Sequence, residues 1–416
     1  MKIDIAIGKE KQVVDIPDEN LAAILTPNPI EVTTKGEEAV CAALQNPIGT
    51  AALKELIKPG EKVVIITSDI TRPLPSHVVL PPILHELKKK GIRCEDITIV
   101  FALGSHRKHS PEEMKKLVGD YIYSTVRCVD GDPKDFVNMG KTKHGTPVDV
   151  TRIVAEADRR ICLGNIEYHY FAGYSGGAKA IMPGVSTRAA IQKNHSCMVD
   201  PLAVAGKIDD NPVRQDLEEA IEYCPIDFIV NVILDEKKNI IHAVAGHYIE
   251  AHREGCKFLD QLYSKPIAAL ADIVIVSQGG SPKDLNLYQT QKALDNAKHA
   301  VRDGGIIILV GACEEGFGEG VFEKWLLAAD DSQSLIERIK NDFQLGGHKA
   351  AAIAMVLEKS EIFFVSKMKP EVVESIFMQP YITVQGALKA AFNKLGHDCK
   401  VLVMPHGGST LPILKQ

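Results

Sequence analysis

Short runs of almost unbroken apolar residues recur along the chain, at 62–69, 97–103 and 160–166, and again at 271–276, 305–310, 361–365 and 400–404. Each closes in glycine, proline, serine or a charged turn, and several lead into helical patterns. Runs this short and this apolar are strands covered on both faces, and their alternation with helices predicts parallel sheets clothed by helices. The pattern pauses after a long amphipathic stretch at about 248–263 and then restarts. Two Rossmann-like α/β domains with mostly parallel sheets are therefore expected, with the active site in the cleft between them. Residues 1–270 are read as the first domain, rejoined by 404–416. Residues 271–403 are read as a smaller second domain able to close over the site.

With 416 residues, 45% hydrophobic and 25% charged, the chain has the length of more than one core and the composition of a globular protein. No apolar run approaches the roughly 20 residues that span a bilayer. Met1-Lys2-Ile3-Asp4-Ile5 lacks the apolar heart of a signal peptide. A cytoplasmic protein without a membrane partner is the expectation. The net charge of −6, with no dense basic block, argues against nucleic acid. Nine cysteines without a Cys-x-x-Cys pair lack the usual zinc and thioredoxin signatures and suit a reducing compartment.

The chemistry-bearing residues cluster in the loops that follow strands. The fullest is Tyr168-His169-Tyr170-Phe171-Ala172-Gly173-Tyr174-Ser175-Gly176-Gly177-Ala178-Lys179. Taken alone it reads equally as a glycine-rich turn with a solvated lysine or as a ligand loop. A nucleoside-triphosphate P-loop is disfavoured, because Ala178 and Ala180 stand where that motif needs glycine and a hydroxyl. Asp69 and Arg72, then His106 and Arg107, follow two earlier strands; Gln289 and Lys292 follow a later one. A doubly wound sheet gathers such loops at one edge. Arg72 offers a fork for a carboxylate, and the histidines can exchange protons near neutral pH.

Thr67-Ser68-Asp69-x-Thr71-Arg72-Pro73, Ala102-Leu103-Gly104-Ser105-His106-Arg107, the His169–Lys179 stretch, Asn194-His195 and Tyr288-Gln289-x-x-Lys292 together resemble the nickel-dependent lactate racemase family. The resemblance covers nearly the whole chain and includes the spacing between motifs. It implies an isomerase that interconverts D and L forms of a 2-hydroxy acid by hydride transfer through a 2-keto acid intermediate. It also implies a nickel-pincer nucleotide, a pyridinium-3-thioamide-5-thiocarboxylic acid mononucleotide, joined covalently to Lys179, with nickel held by His195. His106 and His169 match the two acid/base residues. Arg72 and Lys292 match the residues that take the substrate carboxylate, and Tyr288 and Gln289 those that line the pocket. Partners implied are the small-molecule substrate and the enzymes that make and insert the cofactor. From anion-binding geometry, Ser68, Asp69, Ser175, Gly176 and Gly177 are expected at the phosphate end of the nucleotide.

Lactate is the first expected substrate and malate the second. Malate needs an extra cation near the methyl position, for which Arg107 or Lys108 is a candidate. A non-catalytic carrier of the pincer nucleotide is the alternative of a different class, and it would need only Lys179 and His195. A nicotinamide-dependent dehydrogenase ranks last, since no Gly-x-Gly-x-x-Gly follows the first strand.

Overall fold

The computed structural model describes residues 1–235 and 237–415, and the chain divides into two compact units, 30–260 and 1–29 joined with 261–416. The 30–260 unit is built on a six-stranded sheet in the order Ile240–Gly246, Phe228–Leu234, Arg159–Asn165, Val63–Ser68, Ile97–Ala102, Arg127–Asp130. Its pairs are parallel except the first, an antiparallel hairpin. That hairpin matches the one expected around 227–244, although Glu236 of its loop lies outside the described residues. The three central strands are buried along nearly their whole length, which is why their sequences run apolar instead of alternating. Ile65, Ile99, Phe101 and Ile161 form the core with Val79, Leu80 and Ile83 of the helix Ser76–Lys89. The helix at 111 starts as its sequence directs: Ser110 accepts from Glu113 N and Glu113 caps back, with Pro111 at the first turn.

The other unit has an all-parallel sheet in the order Gln379–Tyr381, Ser360–Val365, Val301–Val310, Ala271–Ser277, Val401–Met404, Leu21–Ile24. Two boundaries differ from expectation. The first 29 residues belong here and not with 30–260, because Leu21–Ile24 adds an edge strand beside Val401–Met404. The hairpin Lys2–Ile7/Glu10–Asp15 also buries Ile3, Ile5 and Ile7 against Ile273 and Ile275. Nor does 404–416 rejoin the first domain: Leu411–Leu414 pairs in parallel with Ser264–Ile267. An edge strand supplied from far away in sequence carries no local signal of which sheet it joins. The long amphipathic helix is found at Glu250–Tyr263, and the two units meet along the chain between its residues Asp260 and Gln261. Among the described residues no helix is long and apolar enough to cross a membrane.

Candidate active site

Three neighbouring parallel strands of the 30–260 unit, Ile97–Ala102, Val63–Ser68 and Arg159–Asn165, deliver their following loops to one edge of the sheet. The first two loops meet through a carboxylate. Asp69, 4% exposed, accepts from Thr71 N at 2.7 Å and faces His106 Nδ1 at 3.2 Å. Thr71 Oγ1 lies 3.0 Å from the same nitrogen. Burial pushes the Asp69 carboxyl up, but the bonds from His106 and Thr71 outweigh it and hold the group at about 2, below the ordinary 3.8. An ionised carboxylate only accepts, so His106 carries its proton on Nδ1 and its lone pair on Nε2. Where a phosphate contact is expected of Asp69, the structure has its carboxylate facing a histidine, which it orients. Ser68, half-buried, ends its strand beside it.

A stability signature follows. Because the folded carboxyl sits below its unfolded value, its contribution is complete above about pH 4 and disappears as pH falls towards 2. It amounts to roughly 2 kcal/mol. Urea unfolding of wild type and Asp69→Asn at pH 5.5 and 2.5 checks this: the wild type loses more stability on acidification than the variant, and equal losses would contradict it.

The third loop is organised by rings. His169 sits in a two-residue hairpin, Tyr168–His169 against Gly173–Tyr174. Phe171, 2% exposed, meets the His169 ring edge-on at 4.5 Å and the His195 ring at 4.9 Å, with Lys179 Nζ 5.9 Å from its centre. Ala172 N donates to His169 Nδ1 at 3.3 Å, which puts the proton of the neutral ring on Nε2. Burial, then the charges of Lys179, His195, Arg72 and Arg214, push the His169 pKa well below 6.5. Lys179 is pushed well below 10.5 by burial and by Arg214 and Arg72, and its amine makes no hydrogen bond or ion pair among the described residues. His195 ends the helix Arg188–His195, whose Thr187 cap accepts from Ala190 N. Its Nδ1 lies 2.9 Å from Asn194 Oδ1, and Asn194 Nδ2 donates to Asp216 and to Val213 O, so the amide oxygen faces the ring. His195 is thus held with its lone pair on Nε2.

The structure therefore brings Asp69, Arg72 and His106 together, and His169, Lys179 and His195 around Phe171, with the Arg72 charge felt by both His169 and Lys179. Arg72 keeps only a loose contact with Asp69, 3.9 Å, and its side chain is 53% exposed. The glycine loop differs from expectation. Gly177 N donates to Asn231 Oδ1, and Ser175 Oγ donates to Asn165 O and accepts from Glu167 N. A Cβ at Gly173 would fall 2.0 Å from Lys207 O, and one at Gly176 2.7 Å from Asn231 Oδ1. Positive φ and close packing account for these glycines, and the Gly177 N–H and Ser175 hydroxyl expected to hold a phosphate are already bonded within the protein. Arg107 pairs with Glu113 at 2.6 Å and Lys108 with Asp132 at 3.1 Å, both at the surface. Tyr288, Gln289 and Lys292 lie on the helix Leu287–Ala297 of the other unit, Gln289 and Lys292 exposed and Tyr288 half-buried with Lys349 Nζ 4.0 Å above its ring. Among the described residues no three His, Cys, Asp or Glu side chains gather into a metal-holding group.

Several residues escaped the sequence reading. Arg214, fully buried on the helix Pro212–Tyr223, donates to the carbonyls of Ala172 and Tyr174 and faces Glu218 at 3.6 Å. His252, also fully buried, donates from Nε2 to Ser175 O at 2.8 Å. His109 Nε2 accepts from Ile70 N while Nδ1 bonds Asp130 at 2.6 Å, bracing the Asp69 turn. Each of these works by reaching a backbone far away in sequence, and only the helix cap Asn211-Pro212 ahead of Arg214 could have directed attention there. Arg214→Met leaves Glu218 paired with Arg253 at 2.7 Å but strands two buried carbonyls. A loss of about 2–4 kcal/mol is expected. Denaturant titration reads it as a lower midpoint at unchanged slope; an unmoved midpoint would contradict it.

The lactate racemase N-terminal domain family model matches residues 7–206, and the lactate racemase C-terminal domain model matches 267–411. A lactate racemase of Thermoanaerobacterium thermosaccharolyticum is 35% identical, covering 98% of each chain, and one of Lactiplantibacillus plantarum is 34% identical, covering 97% of this chain and 98% of its own. The structure of the lactate racemase apoprotein from Thermoanaerobacterium thermosaccharolyticum superposes with a TM-score of 0.91 at 34% identity, covering 100% of both chains. A Thermotoga maritima protein shares the fold at TM-score 0.64 and 19% identity, over 91% of this chain and 98% of its own. With both family domains matched in order and relatives aligned end to end, the chain belongs to the lactate racemase family and is an isomerase of the racemase type.

Proposed function

We propose that this enzyme interconverts the two enantiomers of lactate, using a nickel-pincer nucleotide joined to Lys179. One observation carries the reading: two histidines held in opposite tautomers stand in loops at one sheet edge, together with a half-buried lysine amine whose neutral form is favoured and which has no hydrogen-bond partner among the described residues. The residues fit the group. A neutral amine is nucleophilic and can be acylated, which a protonated one cannot. His195, with its lone pair fixed on Nε2, suits a borderline metal such as nickel. When bound, the nucleotide supplies a reversible two-electron acceptor for the hydrogen on C2.

The chain's own residues supply the rest. Arg72, exposed and loosely held, is the fork for the substrate carboxylate. His106 presents a lone pair at Nε2 and removes the hydroxyl proton of one enantiomer, with Asp69 steadying the imidazolium that results. His169 is the proposed acid/base group for the oxygen of the flat 2-keto acid when it is approached from the other side: it takes up a proton to become an imidazolium, returns that proton to the oxygen and is left as the neutral ring. In the reverse direction the two exchange roles. Simple deprotonation at C2 is far costlier, because that hydrogen is a very poor acid. Tyr288, Gln289 and Lys292 remain proposed substrate contacts, supported by the resemblance and by the exposure of Gln289 and Lys292.

Lactate is preferred to malate because Arg107 and Lys108, the cations considered for a second carboxylate, are bound to Glu113 and Asp132. A mere carrier would have no use for the oriented His106 and His169. Protein co-expressed with the cofactor-making enzymes and supplied with nickel should invert single enantiomers of lactate, read by chiral chromatography, and leave malate essentially unchanged. Inversion of malate alone would overturn the substrate, and no inversion by protein whose intact mass carries the nucleotide would favour the carrier.

A further inference from the structure

The hairpin that carries His169 is fastened from one side by a carboxylate that the chemistry above does not use. Tyr168 and Tyr174 are directly opposite in the hairpin, their rings 5.4 Å apart. Both hydroxyls converge on Asp260: Tyr168 donates to Oδ1 at 2.8 Å, and Tyr174 approaches Oδ1 at 2.8 Å and Oδ2 at 2.9 Å. The Tyr174 hydroxyl also lies 3.2 Å from Gly206 O. Successive side chains of a strand point to opposite faces, so the clamp on Tyr168 leaves His169 directed away from it. Two-residue strands have too few ladder bonds to fix their own orientation, and a side-chain anchor of this kind is what holds such a ribbon in place.

We propose that Asp260 is a positioning residue, which sets the orientation of the His169 imidazole by tying Tyr168 and Tyr174 to the helix Glu250–Tyr263. Among the described residues the side-chain hydrogen bonds of Asp260 go to Tyr168 and Tyr174 and not to His169 or the lysine amine, so its effect passes through the hairpin backbone. Burial raises both phenol pKa values and that of Asp260, while the two phenol bonds favour its ionised form. The geometry of the clamp is that of a carboxylate whose two oxygens accept from the two hydroxyls. The inference rests on the reading of His169 as an acid/base residue, and the experiment separates the two.

Holoenzyme carrying Asp260→Asn, Asp260→Leu or Tyr168→Phe/Tyr174→Phe is compared with wild type in three ways. Steady-state racemisation of lactate gives kcat and KM, intact mass gives the nucleotide adduct, and diethylpyrocarbonate with peptide mapping gives the reactivity of His169 against His106. Asparagine preserves the links: its oxygen accepts from Tyr168 and its NH2 donates to Tyr174, whose own proton goes to Gly206 O. Asp260→Asn is expected within about threefold of wild type in kcat. Asp260→Leu should lose roughly 10–100-fold in kcat with KM within about twofold, as a small misplacement of a reacting group does. The adduct should persist, and the His169 modification rate should change by several-fold while that of His106 stays constant. If the leucine variant does not fold, the double phenylalanine variant removes the same bonds with both rings kept and carries the same expectation. Wild-type kcat and His169 reactivity in the leucine and double variants would overturn the proposal, as would equal losses in Asp260→Asn and Asp260→Leu. If the wild type racemises nothing, the acid/base reading fails while the His169 modification rates still decide the clamp.

Discussion

Lys179→Ala is expected to produce a folded protein that carries no nucleotide and does not measurably racemise lactate. Three features of the site lead to this. The amine lies 5.9 Å from the centre of the Phe171 ring, and the His195 ring lies 4.9 Å from the same centre. It has no hydrogen bond or ion pair among the described residues, so its removal breaks nothing that holds the loop. Burial and the neighbouring Arg214 and Arg72 push its pKa down and favour the neutral amine, a costly arrangement for a lysine without chemistry to perform. Stability should therefore stay within about 1 kcal/mol of wild type. Lys179→Arg is the sharper control: it fills the space, but a guanidinium stays protonated and cannot be acylated. Intact mass spectrometry of co-expressed protein should find the adduct on wild type and on neither variant. An adduct on the alanine variant, or racemisation without one, would remove Lys179 from its role.

The second large effect concerns the two histidines. His106→Gln and His169→Gln should each reduce kcat by about 10²–10⁴, the range for loss of a positioned acid or base. The adduct should be retained and KM little changed. Because both groups act in one turnover, the double variant should be only slightly worse than either single one, not the product of the two losses. Normal kcat in either single variant, with the adduct present, would leave that histidine outside the chemistry. A matching test of orientation is Asp69→Asn, which should reduce kcat about 10–100-fold through His106 without touching His169.

Much of this site was legible in the sequence because parallel sheets announce themselves locally. The apolar runs at 62–69, 97–103 and 160–166 are strands in the structure, and their adjacency puts Asp69, His106 and His169 at one edge. The Ser110-Pro111 helix start and the hinge-like helix at Glu250–Tyr263 were equally local and were found where expected. What the sequence hid was long-range. Nothing within Leu21–Ile24 says that it pairs with Val401–Met404, so the sequence does not reveal that residues 1–29 fold with 261–416. A glycine-rich loop after a strand suggests an anion nest, but whether Gly177 N–H is free depends on Asn231, 54 positions away. Arg214 and Asp260 are ordinary charged residues of amphipathic helices until the fold brings them to the His169 loop. Asp69 shows the limit best: its proximity to the site was readable, while its role depended on which side chain it faced.

The most direct test follows the C2 hydrogen itself. Nucleotide-bearing enzyme is incubated in ordinary water with one enantiomer of lactate deuterated at C2, and the opposite enantiomer is collected by chiral chromatography and weighed by mass spectrometry. The account predicts that the inverted lactate keeps its deuterium, since the hydrogen leaves C2 and returns without entering the solvent, while His106 and His169 handle only the hydroxyl proton. Inverted lactate that has exchanged its deuterium for solvent hydrogen would contradict it, placing a histidine on the carbon.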